Sequence, residues 1–385
     1  MPFYVGLDVS KATTSVCVLS ADGLVVSEGS VGSTPCEIAE FLRGEGRRYV
    51  RVGMESCGMS AWLYSGLARA RLPIVCIEAR HAHGVLKART NKTDKNDARG
   101  IAEIMRVGIY KSVHVKSAES RRTRAMLLAR KTLCNKRIDL ENLVQGLVLE
   151  NGLKPRRRSR SRYVADVKSL VLTRAKLAEV VDPLLVAIGT IGAQINLYDA
   201  QLAAMAQEDP VCRRLMTAPG VGPLTALYFR SGVDEPGRFA RSRDVGPHFG
   251  LAPRIRQSGT YESRGHISKF GDVEVRRALY IAATSLLRFN KRPCYLQDWG
   301  RQIAERRGQM PAVIAVARRL AVTLHRMWVT ETDFEWQAPF GSKADRPQAA
   351  GRQDPNVRMA VEETPQVDRE SGLALPPAPQ AMSMG

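Results

Sequence analysis

The chain has 385 residues, enough for two or three domains with cores of their own. Its 44% hydrophobic content is that of an ordinary globular protein, which sets aside a disordered or fibrous chain. Against 38 acids stand 58 Lys and Arg, and the resulting net charge of +20 points to a polyanionic partner, usually nucleic acid.

That charge is uneven. Net values are +3 over residues 1–100, +8 over 101–210, +10 over 211–339 and −1 over 340–385. The seven cysteines are scattered and never form a Cys-x-x-Cys pair, so reduced thiols in a cytosolic protein are expected, with no zinc site. The N-terminus has no basic stretch followed by an apolar one, so no signal peptide is expected. No apolar run is expected to be long enough to span a membrane.

Residues 3–9 read as a strand, with Val5, Leu7 and Val9 on one side and Tyr4, Gly6 and Asp8 on the other. Asp8 is a carboxylate inside an apolar strand, and must face solvent, a partner or a metal. Strands follow at 14–19 and 24–31 with a tight turn between them, a meander by its short connections. A helix at 37–42, a strand at 49–54 ending on Glu55, a helix at 60–70 and a strand at 73–77 complete the series. Three hairpin strands followed by alternating helix and strand is the order of a ribonuclease-H-like domain. Thr93 is a good N-cap for a helix whose apolar residues Ala98, Ile101, Ala102, Ile104 and Met105 recur at helical spacing. Asp94 and Asp97, three apart, share one face of its first turn. They either complement the helix dipole or join Asp8 and Glu55 around a hard divalent cation. Two such ions are suited to flank the oxygens exchanged in phosphoryl transfer. His81 and His83 read as surface residues.

Residues 117–150 form a long helical stretch, and a second runs over 164–205 with a break expected at Pro183. Two long helices joined by a loop suggest a helical or coiled-coil arm. The joining loop, 154–162, holds six cations, including Arg156, Arg157, Arg158, Arg160 and Arg162. Such a run contacts nucleic acid or stays solvated.

Beyond 211 the chain reads as mainly α. Ala218-Pro219-Gly220-Val221-Gly222-Pro223 looks like a helix-hairpin-helix turn, in which Gly220 and Gly222 would expose backbone N–H groups to a phosphate. Its plain alternative is a tight helix–helix turn. Ser258 precedes Gly259 and lies among Arg254, Arg256, Arg264 and Lys269. By itself a Ser-Gly pair is a turn, and in this basic setting it is also a candidate nucleophile on phosphorus. Helical periodicity returns over 310–328, and residues 336–385 read as a disordered tail.

Taken together, the motifs resemble those of the DEDD-type insertion-sequence transposases, a family of bridge-RNA-guided serine recombinases. The resemblance covers about residues 1–335. It rests on Tyr4-Val5-Gly6-Leu7-Asp8-Val9-Ser10-Lys11, on Met54-Glu55-Ser56 with Gly58, and on Lys92-Thr93-Asp94-Lys95-Asn96-Asp97-Ala98. Pro219-Gly220-Val221-Gly222, Gly250-Leu251-Ala252-Pro253, Gln257-Ser258-Gly259 and Ser268-Lys269-Phe270-Gly271 continue it. It implies a RuvC-like domain over 1–115, a helical arm over 116–210 and a transposase domain over 211–335. It further implies Mg²⁺ on Asp8, Glu55, Asp94 and Asp97, and Ser258 as the nucleophile that becomes joined to DNA. The implied partners are donor and target DNA, a structured noncoding guide RNA and further copies of the chain, a tetramer assembled from dimers. The implied place is the bacterial cytoplasm, at the nucleoid. The alternatives on residues alone are a metal-dependent nuclease of the Holliday-junction type with water as nucleophile, and a nucleic-acid-binding scaffold whose acids hold a structural ion.

Overall fold

Strand β1, Phe3–Val9, is the middle of a five-stranded sheet with the order β3-β2-β1-β4-β5. The computed structural model describes residues 1–87, 93–155, 162–259 and 261–337. β2 (Thr13–Ser20) and β3 (Val25–Gly32) continue from β1 as an antiparallel meander. Helix α1 (Pro35–Gly44) then leads to β4 (Tyr49–Glu55), parallel to β1 on its other side. Helix α2 (Ser60–Arg69) leads to β5 (Ile74–Ile77), parallel to β4. This is the ribonuclease-H-like order expected from the strand pattern.

The alternation within β1 divides the two faces. Val5 and Leu7 join Val16, Val18, Val52 and Met54 in a core closed by Ile38 and Leu42 of α1 and Leu63 and Leu67 of α2. The other face is covered by α3 (Ala79–Leu86) and α4 (Asp94–Val107). His81, read above as a surface residue, is half-buried, with its Nε2 buried and without a hydrogen-bond partner among the described residues.

Helix α5 (Ala118–Glu150) is capped by Ser117, whose side chain accepts from the Ser120 N–H. Next come α6 (Tyr163–Val171) and α7 (Ala175–Glu208). The break expected at Pro183 is absent: α7 runs through it, and the interruption falls earlier, between Val171 and Ala175. An internal proline costs about 3 kcal/mol. Here Val181, Leu185 and Ile188 flank it and are buried against Val144, Val148, Val167 and Val171. Each such side chain contributes roughly 1.5–3 kcal/mol. Several buried aliphatics therefore outweigh one lost hydrogen bond.

The continuous helix also corrects the membrane expectation. By length and composition α7 is apolar enough to cross a membrane, residues 183–198 carrying no charge. Its stripe instead packs on α5 and α6, with Leu202 joining Leu127 in the next core.

That core is built from α8 (Pro210–Leu215), α9 (Pro223–Val233), α10 (Val245–His248), α11 (Val273–Phe289), α12 (Tyr295–Arg307) and α13 (Gln309–Thr330). Between α10 and α11 stands a two-stranded hairpin, β6 (Pro253–Ser258) with β7 (Tyr261–Ile267). The expected turn at Ser258-Gly259 is its tip. The tail expectation from 338 onward lies outside the described residues.

Candidate active site

Glycine brings helix and sheet together. A Cβ placed on Gly6 would fall on the Ala98 carbonyl and the Ala102 nitrogen of α4, and one on Gly53 would meet the Met105 side chain. Without side chains at these points, α4 lies directly on the sheet. Its course follows from the contacts. Tyr4 packs against the cluster that holds Ile101, Ile104 and Met105, whereas Gly6, two residues on, lies under Ala98 and Ala102. The helix therefore runs against β1, and two further residues along the strand bring Asp8 toward the turn that precedes Ala98. That turn is Asp94 to Asp97, capped by Thr93, whose hydroxyl accepts from the Asn96 N–H at 3.2 Å. Lys95 ties it to β3 through an ion pair with Glu28 at 2.6 Å.

Asp8 shares the α4 face with Gly6, because residues two apart in a strand point the same way. Leu7 is in register with Met54, so Asp8 and Glu55 occupy the next row of two adjacent strands. Neighbouring strands lie about 4.8 Å apart. Both acids are half-buried, whereas Asp94 is exposed and Asp97 half-buried. The chain after Glu55 is fixed by Ser60, whose hydroxyl donates to the Glu55 carbonyl at 3.2 Å and accepts from the Cys57 N–H at 2.6 Å. The turn after Asp8 is fixed by Ser10, whose hydroxyl donates to the Thr13 carbonyl at 2.6 Å. One end of the sheet thus gathers the backbones of all four acids. Among the described residues, no three His, Cys, Asp or Glu side chains already stand close enough to hold an ion.

The other candidates lie elsewhere in the chain. Ser258 ends β6 at the tip of the hairpin, exposed, with Tyr261 as its cross-strand partner. Arg254 and Arg256 share its side of the strand, and both are exposed. The Arg254 guanidinium lies over the Phe270 ring, as does that of Arg80 from α3. Lys269 is exposed, with its backbone at φ 57°. Arg264 lies in β7, its side chain outside the described set. Arg162 is exposed at the start of α6, and Arg156, Arg157, Arg158 and Arg160 lie outside the described residues. Gly220 has φ +80° and presses on the Ala282 carbonyl of α11, so tight packing accounts for this glycine. Gly222 is the exposed N-cap residue of α9.

One cluster left no trace in the sequence pattern. Asp234, buried just past α9, accepts from the Ser117 N–H at 2.9 Å and the Ser117 hydroxyl at 2.6 Å, and lies 2.6 Å from His114 Nε2. Burial raises its pKa, and the hydrogen bonds from Ser117, Ser120 and His114 outweigh that, holding the carboxyl well below the usual carboxylate range. Beside it Lys116 donates to the Ser231 and Gly232 carbonyls at 3.0 and 2.6 Å. Burial, with Arg124 and Arg238 nearby, pushes that amine down to about 8. The segment leaving α4 is thereby clasped to the C-terminal end of α9.

Comparison with known proteins gives concordant matches. The family model for transposases of the IS116/IS110/IS902 family matches residues 212–295, and that for DEDD transposases of the IS110 type matches residues 5–151. The chain is 30% identical over 323 residues to the transposase of insertion sequence element IS1111A from Coxiella burnetii, covering 82% of this chain and 86% of that one. It is 28% identical over 288 residues to a probable family 20 transposase of Pseudomonas aeruginosa, covering 73% and 84%. Among solved structures, RuvC from Thermus thermophilus aligns with 29% of this chain and 99% of its own, at 13% identity and a TM-score of 0.23.

Proposed function

Because this chain belongs to the IS116/IS110/IS902 family of insertion-sequence transposases, we propose that it cuts and rejoins DNA with Asp8, Glu55, Asp94 and Asp97 as metal-binding acids and Ser258 as nucleophile. The observation that carries this reading is the juxtaposition at one end of the sheet: Asp8 and Glu55 in one row of adjacent strands, beside the first turn of α4.

The donor chemistry fits Mg²⁺. Carboxylate oxygens are the hard ligands this ion takes, and a few of them leave positions for phosphate and water. When bound, the ion supplies charge to the phosphoryl oxygens and orients the scissile group. The residues do the rest. Ser258, on an exposed hairpin tip, is accessible to a duplex or to a second copy of the chain. Its Oγ forms a bond to phosphorus as the bond from phosphorus to one sugar oxygen breaks. The hydroxyl proton passes to a carboxylate of the acidic set, and the departing sugar oxygen takes up a proton. The phosphodiester is exchanged rather than hydrolysed, so the strand can be resealed without an external energy source. Arg254 and Arg256 on the same side of β6 suit the phosphates flanking the cut.

In this reading the serine and the acids of one site come from different protomers of a homo-tetramer, and a structured noncoding RNA selects donor and target DNA. The exposed arginines and the basic run at 154–162 are its proposed nucleic-acid contacts, with the Gly222 N–H at the α9 terminus. Incubation with element-end DNA and Mg²⁺, followed by denaturing electrophoresis, tests the chemistry. Wild type is expected to form a covalent adduct that Ser258→Ala lacks. An adduct in the alanine variant, or free ends without an adduct in wild type, rules the serine mechanism out; the second result favours water as nucleophile.

A further inference from the structure

Between the start of α5, α9 and α11 lies a cleft of about 290 Å³ lined by Lys116, Arg121, Arg124, Ala125, Leu128, Tyr228 and Glu274. We propose that it is a phosphate-binding site, with Lys116, Arg121 and Arg124 as donors and the apolar wall of Ala125 and Leu128 receiving the attached sugar.

Arg121, Arg124, Ala125 and Leu128 recur at helical spacing, so one face of α5 lines the cleft. Three carboxylates act on it, and all are engaged; Asp234, beside Lys116, is held by Ser117 and His114. Glu274 is paired with Lys131 from α5. Asp272 caps α11, accepting from the N–H groups of Glu274 and Val275, and pairs with Arg124 through Nη2. Positive charge is left over. Arg124 Nη1 is buried and has no hydrogen-bond partner among the described residues. Arg121 Nη1 meets only a neutral acceptor, the Lys116 carbonyl at 2.9 Å. The Lys116 ammonium donates to two neutral carbonyls, and its proton affinity is depressed because burial and the repulsion of Arg124 and Arg238 exceed the attraction of Asp272 and Asp234.

A half-buried group of cations with one unpartnered guanidinium N–H lacks an anion. A buried donor left unsatisfied is costly, and a charge-assisted bond to phosphate oxygen removes that cost. Planar guanidinium forks fit phosphate oxygens in pairs. A wall combining cations with aliphatic surface and a Tyr228 ring fits a phosphate carrying a sugar. The site rests on the nucleic-acid reading only for the source of that phosphate, which is a strand backbone or a free phosphate ion.

Two measurements on the full chain test it. Thermal unfolding is compared in chloride and in inorganic phosphate at equal ionic strength, for wild type, Arg121→Gln and Arg122→Gln; Arg122 is exposed and does not line the cleft. DNA affinity is measured against salt for the same three proteins. Phosphate is expected to raise the melting temperature of wild type and Arg122→Gln but not of Arg121→Gln, since a ligand of the folded state stabilises it by mass action. If the phosphate comes from a strand, Arg121→Gln lowers the salt slope by about one relative to wild type. The first result alone identifies a free-ion site, and the second alone a backbone site. Arg121→Gln behaving as wild type in both sinks the proposal. Neither readout requires cleavage, so a chain that passes here yet forms no Ser258 adduct refutes the recombination mechanism and leaves this site standing.

Discussion

Gly6 lies beneath Ala98: its missing side chain is what lets the Ala98 carbonyl of α4 rest on β1. The obstruction on substitution is backbone, which cannot rotate away. Gly6→Ala is therefore expected to displace α4 and to destabilise the fold by about 3 kcal/mol, the upper end for overpacking. Urea unfolding midpoints would measure it, and DNA cleavage should fall with it because Asp94 and Asp97 ride on the displaced helix. An unchanged midpoint would show that α4 does not press on the sheet there.

Asp8→Asn separates chemistry from folding. Asp8 is half-buried at the end of β1, and an amide is close to its equal in size. The unfolding midpoint should change little, whereas Mg²⁺-dependent DNA cleavage should drop by about a hundredfold or more, as on losing a charged group that acts in the transition state. Comparable loss of both properties would assign Asp8 to the scaffold.

The Asp234 clasp carries a pH dependence of definite sign. Its carboxyl is held well below the usual range when folded, and titrates near 3.9 when unfolded. A carboxylate with a depressed folded pKa stabilises fully above the unfolded value. That contribution is lost as pH falls below about 4 toward the folded value. Asp234→Asn keeps one acceptor and loses the charge, so it is expected to cost about 2–3 kcal/mol at neutral pH. It should also flatten the decline in stability below pH 4. Denaturation curves of the two proteins at pH 3 and pH 7 would reveal this, with equal differences at both pH values as the contrary result.

One guanidinium bridges the two ends of the hairpin that bears Ser258. Arg276 Nη1 donates to the carbonyls of Phe249 and Phe270, both at 3.0 Å, on either side of β6 and β7. The strands themselves are largely exposed, and a lone two-stranded hairpin is marginal in water. Arg276→Ala should speed amide exchange across residues 253–267 and weaken adduct formation. Exchange elsewhere in α11 should move little. Unaltered exchange in the hairpin would place its support elsewhere.

Much of this architecture follows from local pattern. Period-two alternation marks Phe3–Val9 with Asp8 opposite Val5 and Leu7, the Thr93 cap marks where α4 begins, and 3.6-residue periodicity marks α5 and α13. These signals are legible because neighbouring residues generate them. Local rules failed at Pro183, where proline predicts a break but the buried Val181, Leu185 and Ile188 hold α7 together. They were silent on His114, Lys116 and Ser117 meeting residues 231–234, more than a hundred positions away. The sequence by itself determined the N-terminal strand order, the long helices, the basic character and the family motifs, but not the β6–β7 hairpin. Only the tertiary structure decided which ends of those elements meet: that Asp8 and Glu55 share a row beside the first turn of α4, and that three cations converge with one guanidinium N–H unpartnered. The physical reason is that strand register and helix placement are set by packing between distant segments, to which no local period responds.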